Sequence, residues 1–223
     1  MRPCLISSIP EISLAAKLLD AAADALLIGN RELASSLIVS ADIPAIANHT
    51  QQIVGPLSED IHKQTKLPGV LPKSERHESR MPPVSTEREI FERDGWHCRF
   101  CGAKVIAREA RNLLVKLFPD ETHWGPLEYT RHSALYALAA SLDHVVPHSR
   151  GGTNEFGNFV TACYCCQFGR GQYTLEEVQI SDPRLRDPIK GEWDGLRRIM
   201  GMQPNKSKNY APAAPDAASR AGF

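Results

Sequence analysis

The sequence predicts an α+β protein in which a small N-terminal bundle of helices precedes a unit of two strands and one helix. Apolar residues recur at helical spacing through residues 11–55, which predicts the bundle. Further along, two Cys-x-x-Cys pairs enclose a stretch whose pattern predicts strand, loop, strand and helix. Because cysteines at this spacing are typical zinc ligands, we expect a metal to stabilise the second unit.

The composition is that of an ordinary globular protein. Hydrophobic residues make up 42% of the 223 residues and charged residues 23%. The 26 basic residues equal the 26 acidic residues, so any surface that attracts nucleic acid must be local. No apolar run approaches the roughly 20 residues of a membrane span, and the apolar start is too short for a signal peptide. We therefore expect a cytoplasmic protein without a membrane partner, in which paired cysteines bind metal rather than form disulfides.

Residues 1–55 are predicted to form three short helices. In the first, apolar residues lie three or four positions apart. Asn30 is a candidate N-cap for a second helix over Arg31–Val39, and Pro44 suits the first turn of a third that ends near Val54. The segment has few basic residues, so packing or dimerisation is a better prediction than nucleic-acid binding, and a homodimer would form through these helices.

The rest of the chain is predicted to divide into three parts. Repeated prolines and many charges predict a linker over residues 56–84. Residues 85–203 carry the cysteine pairs and are predicted to form the second domain. Residues 204–223 are rich in Ala, Pro and Ser, so we expect a disordered tail there.

The predicted elements of residues 85–203 are short helices around two strands. Capping-box patterns at Thr86–Glu89 and Thr174–Glu177 each predict a helix start, and Asp94-Gly95 predicts a turn. Apolar periodicity and turn formers predict helices at 87–93, 107–118 and 129–139, strands at 141–146 and 158–162, and helices at 163–170 and 194–200.

Four cysteines have the spacing of a tetrahedral thiolate site: Cys98, Cys101, Cys163 and Cys166. Four protein ligands leave no open position for water, so this zinc would be structural. It would hold the residues between the two pairs in one place. The alternatives are two unrelated Cys-x-x-Cys occurrences or a redox pair. Cys165 is left out because its use would change the spacing.

Between the cysteine pairs, a carboxylate lies next to a histidine. A metal-assisted hydrolase needs one group to hold a cation, here Asp143, and one to take a proton from water, here His144. As neighbours on a strand, their side chains start toward opposite faces. The fold must therefore let both reach one phosphate.

Three segments of the chain carry a resemblance to a known family. They are residues 89–102 (EIFERDGWHCRFCG), 142–154 (LDHVVPHSRGGTN) and 157–166 (GNFVTACYCC). In content and order they resemble the zinc-containing branch of the HNH endonucleases, a ββα-metal nuclease fold. The resemblance covers neither the N-terminal helices nor residues 106–140.

The resemblance implies a hydrolytic role for three residues. His144 would be the general base that activates water for attack on a DNA phosphodiester. Asp143 would hold a divalent cation, Mg²⁺ or Mn²⁺, that stabilises charge on the transition state. Asn158 would bridge the loop and orient His144 by hydrogen bonding. The implied partner is DNA, double-stranded in the simplest case.

At one position the chain departs from the family pattern. The family has a metal-binding His or Asn after the last zinc cysteine, where this chain has Gln167. A Gln amide oxygen binds Mg²⁺, but with altered reach and a larger loss of rotamer entropy. We expect Gln167 to be a working ligand. A water-mediated contact and a weakened or inactive site are the alternatives, and His148 is a candidate substitute.

Two arginines are candidate phosphate contacts. Arg150 lies in the loop over the site, and Arg170 follows the last helix of the motif, where the family usually has a basic residue. Each is predicted either to contact DNA or to be a solvated surface residue.

Two rival functions stay open. The first is a zinc-stabilised nucleic-acid-binding module that has lost catalysis through Gln167. The second is a protein whose ββα unit only scaffolds contacts made by the N-terminal helices.

Overall fold

The computed structural model describes residues 1–54, 69–77 and 79–201. Within these ranges the chain forms helices around one two-stranded antiparallel sheet. The elements in chain order are α1 (Pro10–Leu27), α2 (Arg31–Ala41), α3 (Pro44–Val54), α4 (Val84–Arg93), α5 (Arg108–Leu117), α6 (Pro119–Thr122), α7 (Ser133–Ala137), β1 (Ala140–His144), β2 (Phe159–Cys163) and α8 (Tyr164–Arg170). This mixture of helices with a small sheet agrees with the predicted α+β class.

Two of the three N-terminal helices begin at their predicted start signals, Asn30 and Pro44. Pro10 lies in the first turn of α1, where a missing N–H leaves no helical bond unmade. Asn30 caps α2, since its side-chain oxygen accepts a 3.1 Å hydrogen bond from the Leu33 N–H. Pro44 begins α3. The prediction of three helices in this segment is confirmed.

The apolar faces of these helices share a core with the downstream elements. α1 and α2 pack on each other, and α3 packs against α7 and α8. The contact with α8 is close: a Cβ at Gly169 would lie 2.5 Å from Ile53 Cγ2 and 3.2 Å from Leu5 Cδ1. The predicted domain boundary near residue 55 and the homodimer stay predictions.

α4 starts before its predicted capping box. It covers Val84–Arg93, and no side chain caps its N-terminus. Pro83 has an extended conformation and directly precedes the first residue of the helix. Its carbonyl accepts a 3.0 Å hydrogen bond from the Glu87 N–H. The predicted cap at Thr86 is therefore wrong. The predicted turn that follows the helix is confirmed, with Gly95 at φ +63°.

The predicted helix at 129–139 is wrong in its length. A 3-10 turn covers Glu128–Thr130, Arg131 is extended, and α7 begins only at Ser133. His132 explains the new start, because its side chain accepts a 3.3 Å hydrogen bond from the Leu135 N–H. By contrast, α5 starts one residue after its predicted start and ends one residue before its predicted end.

β1 and β2 pair antiparallel, with Asp143 opposite Val160 and His144 opposite Phe159. β1 ends two residues earlier than predicted. Beyond it, the Val146 N–H donates to the Asn158 side chain at 2.9 Å instead of to a strand partner. α8 follows β2 directly, so strand, strand and helix occur in the predicted order.

Neither of the two helices predicted after α8 forms as an α-helix. At Thr174 the capping-box hydrogen bonds form, with Glu177 N donating to Thr174 Oγ1 at 3.3 Å and Thr174 N donating to Glu177 Oε2 at 2.8 Å. No helix grows from them, because Ile180 N bonds back to Leu175 O at 2.9 Å and Gln179 has a left-handed φ of +56°. The predicted helix at 194–200 is a 3-10 helix, Arg197–Gly201.

Some predictions fall on parts of the chain that lie outside the described residues. These are residues 56–68 and residue 78 of the predicted linker, and the predicted tail, 204–223. Across the described ranges, no helix has the length and apolar character needed to cross a membrane.

Candidate active site and zinc centre

The four predicted zinc ligands converge on one point. Their ligand atoms lie within 4.8 Å of one another, and the sulfurs of Cys101 and Cys163 are 3.7 Å apart. Zn–S bonds of about 2.3 Å in a tetrahedron place sulfurs roughly 3.8 Å apart, so the arrangement fits a zinc ion. None of these four cysteines forms a disulfide. The cluster comprises Cys98, Cys101, Cys163 and Cys166.

A tight turn and a strand end bring the two cysteine pairs together. The Cys98 N–H donates to Ala103 O, and the Gly102 N–H donates to Cys98 O, both at 2.8 Å. Gly102 has a φ of +77°, which a glycine adopts without strain. Cys163 ends β2, and Cys166 lies in the first turn of α8. The cluster therefore ties the chain after α4 to the junction of β2 and α8.

Hydrogen bonds within the cluster favour a thiolate. Burial raises the pKa of the Cys98 thiol, but hydrogen bonds from its three sulfur neighbours outweigh burial and leave that pKa well below its usual value. The thiolate is the form that binds zinc. Cys165 is outside the cluster, and its sulfur lies 3.5 Å from Thr50 Oγ1.

A cleft of about 620 Å³ opens beside the end of β1. Asp143 and His144 both line it, and Gln167 reaches it from α8. The structure thus brings three of the predicted catalytic residues to one cleft, although the first two are neighbours on a strand. Asn158 is buried behind the loop and does not line the cleft.

Asp143 forms an ion pair with Arg170 that uses both carboxylate oxygens. Arg170 Nε donates to Oδ2 at 3.0 Å and Nη2 donates to Oδ1 at 2.7 Å. The guanidinium also donates to the carbonyls of His144 and of Tyr173, the latter at 2.8 Å. Arg170 is only 1% exposed, so its position differs from the predicted surface contact with DNA. Burial raises the pKa of Asp143, and the charge of Arg170 opposes that rise.

His144 is held by an asparagine that the motif analysis did not assign. Its Nε2 lies 3.1 Å from Asn154 Oδ1, and Asn154 Nδ2 donates to Ser79 O at 2.6 Å. Because the amide N–H groups point toward Ser79, the oxygen must accept from His144. In the neutral ring the proton is then on Nε2 and the lone pair on Nδ1.

The surroundings of His144 favour a neutral imidazole. The ring packs on Phe159 with centroids 4.3 Å apart. Burial lowers the pKa of His144; the hydrogen bond to Asn154 opposes this, and the nearby charges of Arg80 and Arg170 add to the lowering. At neutral pH the ring is therefore free to accept a proton.

Asn158 bridges the loop through hydrogen bonds, but its side chain forms none with His144. Its Oδ1 accepts from Val146 N at 2.9 Å, and its Nδ2 donates to Thr153 O at 2.9 Å. Gly152 is required beside it, because a Cβ there would lie 1.8 Å from Val146 O. Asn158 thus fixes the loop, and Asn154 orients the imidazole.

Gln167 contacts β1. Its Oε1 accepts from Ser141 Oγ, and its Nε2 donates to Leu142 O at 2.8 Å. Of the other predicted residues, Arg150 pairs with Glu177 through distances of 2.8 and 2.9 Å. Gln167, predicted to bind a cation, and Arg150, predicted to bind a phosphate, are therefore both hydrogen-bonded to other residues of the protein.

A catalytic cation fits this donor set if the substrate completes its coordination. Each Asp143 oxygen keeps acceptor capacity beyond its bond to Arg170. Mg²⁺ is commonly held by one or two carboxylates together with substrate phosphates and waters. Across the residues described, only the cysteine cluster gathers three or more His, Cys, Asp or Glu ligand atoms. Among the described residues that line the cleft, Asp143 is the one carboxylate that could anchor the cation.

Comparison with known proteins identifies one part of the chain. No curated protein and no solved structure matches the chain significantly. The family model described as HNH endonuclease matches residues 131–167. The matched range runs from just before α7 through β1, the loop and β2 to Gln167, while the first cysteine pair lies upstream. Residues 131–167, which contain Asp143 and His144, are thereby identified as a match to the HNH endonuclease family.

Proposed function

We propose that this chain is an HNH endonuclease that hydrolyses phosphodiester bonds of double-stranded DNA with a divalent cation, Mg²⁺ or Mn²⁺. The family match over residues 131–167 supports a nuclease-type or nucleic-acid-binding function. One observation favours hydrolysis: His144 lines the cleft with Nε2 held by Asn154, and Nδ1 has no partner among the residues described. A neutral imidazole in this setting is suited to general-base catalysis.

His144 acts as the base in the proposed reaction. Its Nδ1 lone pair takes a proton from water, and the water oxygen attacks phosphorus in line with the leaving 3′ oxygen. The lowered pKa of His144 keeps the ring unprotonated at neutral pH, so the lone pair is present before the substrate arrives. Asn154 prevents rotation of the ring away from the attacking water.

The other polar residues of the cleft position charge. Asp143 and Gln167 would hold the divalent cation, which supplies positive charge to the transition-state oxygens. Arg170 fixes the Asp143 carboxylate, and Ser141 fixes the Gln167 amide. The zinc cluster would be structural, because it already has four protein ligands.

DNA binding without hydrolysis is the second candidate function, and a specific observation favours it. Both oxygens of Asp143 accept hydrogen bonds from Arg170, and the oxygen of Gln167 accepts one from Ser141. If these contacts persist when DNA is bound and keep the cation from the oxygens of Asp143 and Gln167, the cleft binds phosphate without cleaving it.

Cleavage of supercoiled plasmid tests the two functions. Zinc-loaded protein is titrated with Mg²⁺ or Mn²⁺ beside His144→Ala, Gln167→Asn and the control His123→Ala. The control removes an imidazole that pairs with Asp42 away from the cleft, with 47% of its side chain exposed. We expect the wild-type protein and the control to cut, and His144→Ala to be inactive.

The possible outcomes separate the two candidates. Equal cleavage by His144→Ala and the wild-type protein would exclude His144 as the base. DNA retardation without cleavage by the wild-type protein, with cleavage appearing in Gln167→Asn, would favour the binding function. A wild-type protein that neither retards nor cleaves DNA would contradict both candidate functions.

A further inference from the structure

The stretch before α4 was predicted to be a linker, and its described part forms one wall of the cleft. Lys73, Arg76 and Arg80 line the cleft with Asp143 and His144. We call residues 69–77 and 79–83 the basic segment. The family match begins at residue 131, so this wall lies outside it.

Hydrogen bonds fix the basic segment to the loop between β1 and β2. The Leu71 N–H donates to Ser149 O at 2.8 Å. His148 Nε2 lies 2.9 Å from His77 O. A third bond, from Asn154 to Ser79 O, joins the segment to the same asparagine that holds His144. The position of the basic side chains is therefore coupled to that of the proposed base.

The cationic groups of this segment are not used in the fold. Lys73 and Arg80 are exposed, and their side chains have no hydrogen-bond or ion-pair partner within the described ranges. Arg76 Nε donates to Leu71 O at 2.8 Å, and the rest of its guanidinium forms no hydrogen bond with a described residue. In contrast, Arg150 and Arg170, which do not line the cleft, are paired with carboxylates.

The charge of the cleft fits a polyanion. Among the described lining residues, Lys73, Arg76 and Arg80 are cationic and only Asp143 is a carboxylate, which is already paired with Arg170. Glu75 of the basic segment does not line the cleft, and Glu78 lies outside the described residues. The chain as a whole has a net charge of zero, so this positive potential is local.

We propose that Lys73 and Arg80 contact backbone phosphates of the DNA strand that crosses the cleft, with Arg76 between them. The inference rests on the proposed function, since it places the substrate of the same site. A phosphate contact orients the strand without reading its sequence, so these residues set affinity and register rather than sequence preference.

Salt-dependent DNA binding tests the proposal. Affinity for a short duplex is measured by fluorescence anisotropy at several salt concentrations, without added divalent cation. The variant Lys73→Ala/Arg80→Ala is compared with Lys17→Ala/Lys116→Ala. This control removes two exposed lysines on α1 and α5 that have no ion-pair partner among the described residues and do not line the cleft. The plot of log K against log salt has a negative slope, and each lost phosphate contact reduces its magnitude by about 0.9. The slope of the cleft variant should therefore be smaller in magnitude by roughly 1.8.

Matched results distinguish this inference from the proposed function. A slope reduced only in the cleft variant, with affinity and slope recovered in Lys73→Arg/Arg80→Lys, supports the inference whether or not plasmid is cleaved. A cleft variant with the slope of the control overturns the inference, even if the wild-type protein cleaves DNA. A wild-type protein that binds no duplex overturns the inference together with the DNA substrate.

Discussion

Removal of Arg170 should destabilise the protein more than any surface substitution. In Arg170→Ala the carboxylate of Asp143 stays buried and loses both charge-assisted hydrogen bonds, of 3.0 and 2.7 Å. The Tyr173 carbonyl loses its 2.8 Å donor as well. The side chains are 1% and 8% exposed, so solvent does not screen the loss. Breaking a buried pair by removing one partner costs about 3–5 kcal/mol.

Urea unfolding monitored by tryptophan fluorescence measures this loss. Trp96 and Trp193 are buried and should report unfolding directly. At an unchanged m value, a loss of about 3–5 kcal/mol takes away a large part of the roughly 5–15 kcal/mol typical of a folded domain. Arg170→Lys keeps the charge but not the two-pronged geometry, and we expect an intermediate loss of about 1–3 kcal/mol.

An exposed pair provides the matched control. Arg184 binds Asp182 with similar geometry, but the two side chains are 46% and 25% exposed. Arg184→Ala should therefore cost less than about 1 kcal/mol. If Arg170→Ala also cost less than about 1 kcal/mol, the reasoning from burial would be refuted.

Four further results are expected. Metal analysis should find about one zinc per chain, and Cys98→Ser should lose that zinc and unfold the surrounding structure; full zinc content in the variant would contradict the site. In Gly152→Ala the new Cβ meets a carbonyl oxygen at 1.8 Å, so urea unfolding should show a loss of about 1–3 kcal/mol, whereas Gly157→Ala, with no atom within 4 Å, should be nearly neutral. Burial lowers the pKa of His132, so as the pH falls the unfolded chain takes up a proton on this ring before the folded protein does. The contribution of the neutral His132 to stability is therefore complete above about pH 6.5 and is lost as the pH falls through the folded pKa. Urea midpoints measured between pH 5 and 7.5 should fall less steeply with decreasing pH in His132→Gln than in the wild-type protein. Asn154→Ala should reduce plasmid cleavage roughly tenfold or more with stability little changed, and undiminished cleavage would argue against its role in orienting the base.

Local signals in the sequence account for the N-terminal helices. Asn30 and Pro44 act through hydrogen bonds and backbone angles within a few residues, so their effects are visible in a short window. The cysteine pairs were equally informative, because metal ligation requires all four sulfurs to meet regardless of the chain between them. The same local reasoning failed at Thr86, where Pro83 set the helix start.

Contacts between distant segments could not be predicted in this way. The pairing of Arg170 with Asp143 depends on how α8 lies against β1, and no short-range pattern specifies that orientation. Asn154 lay within the quoted motif, but its role requires Ser79, which is far upstream. The basic segment has the composition of a linker, and its packing on the loop follows from backbone carbonyls that a sequence pattern does not reveal.

The two halves of the cysteine cluster are synthesised at different times. Cys98 and Cys101 leave the ribosome well before Cys163 and Cys166, and β1 lies between the two pairs. At about 5–20 residues per second, the nascent chain exposes two unclosed thiols for on the order of several seconds. Asp143 also lacks its ion-pair partner until Arg170, 27 residues later in the chain, has been synthesised. If the cluster binds zinc as proposed, a shortage of zinc during synthesis should leave the two cysteine pairs unjoined and the cleft unassembled.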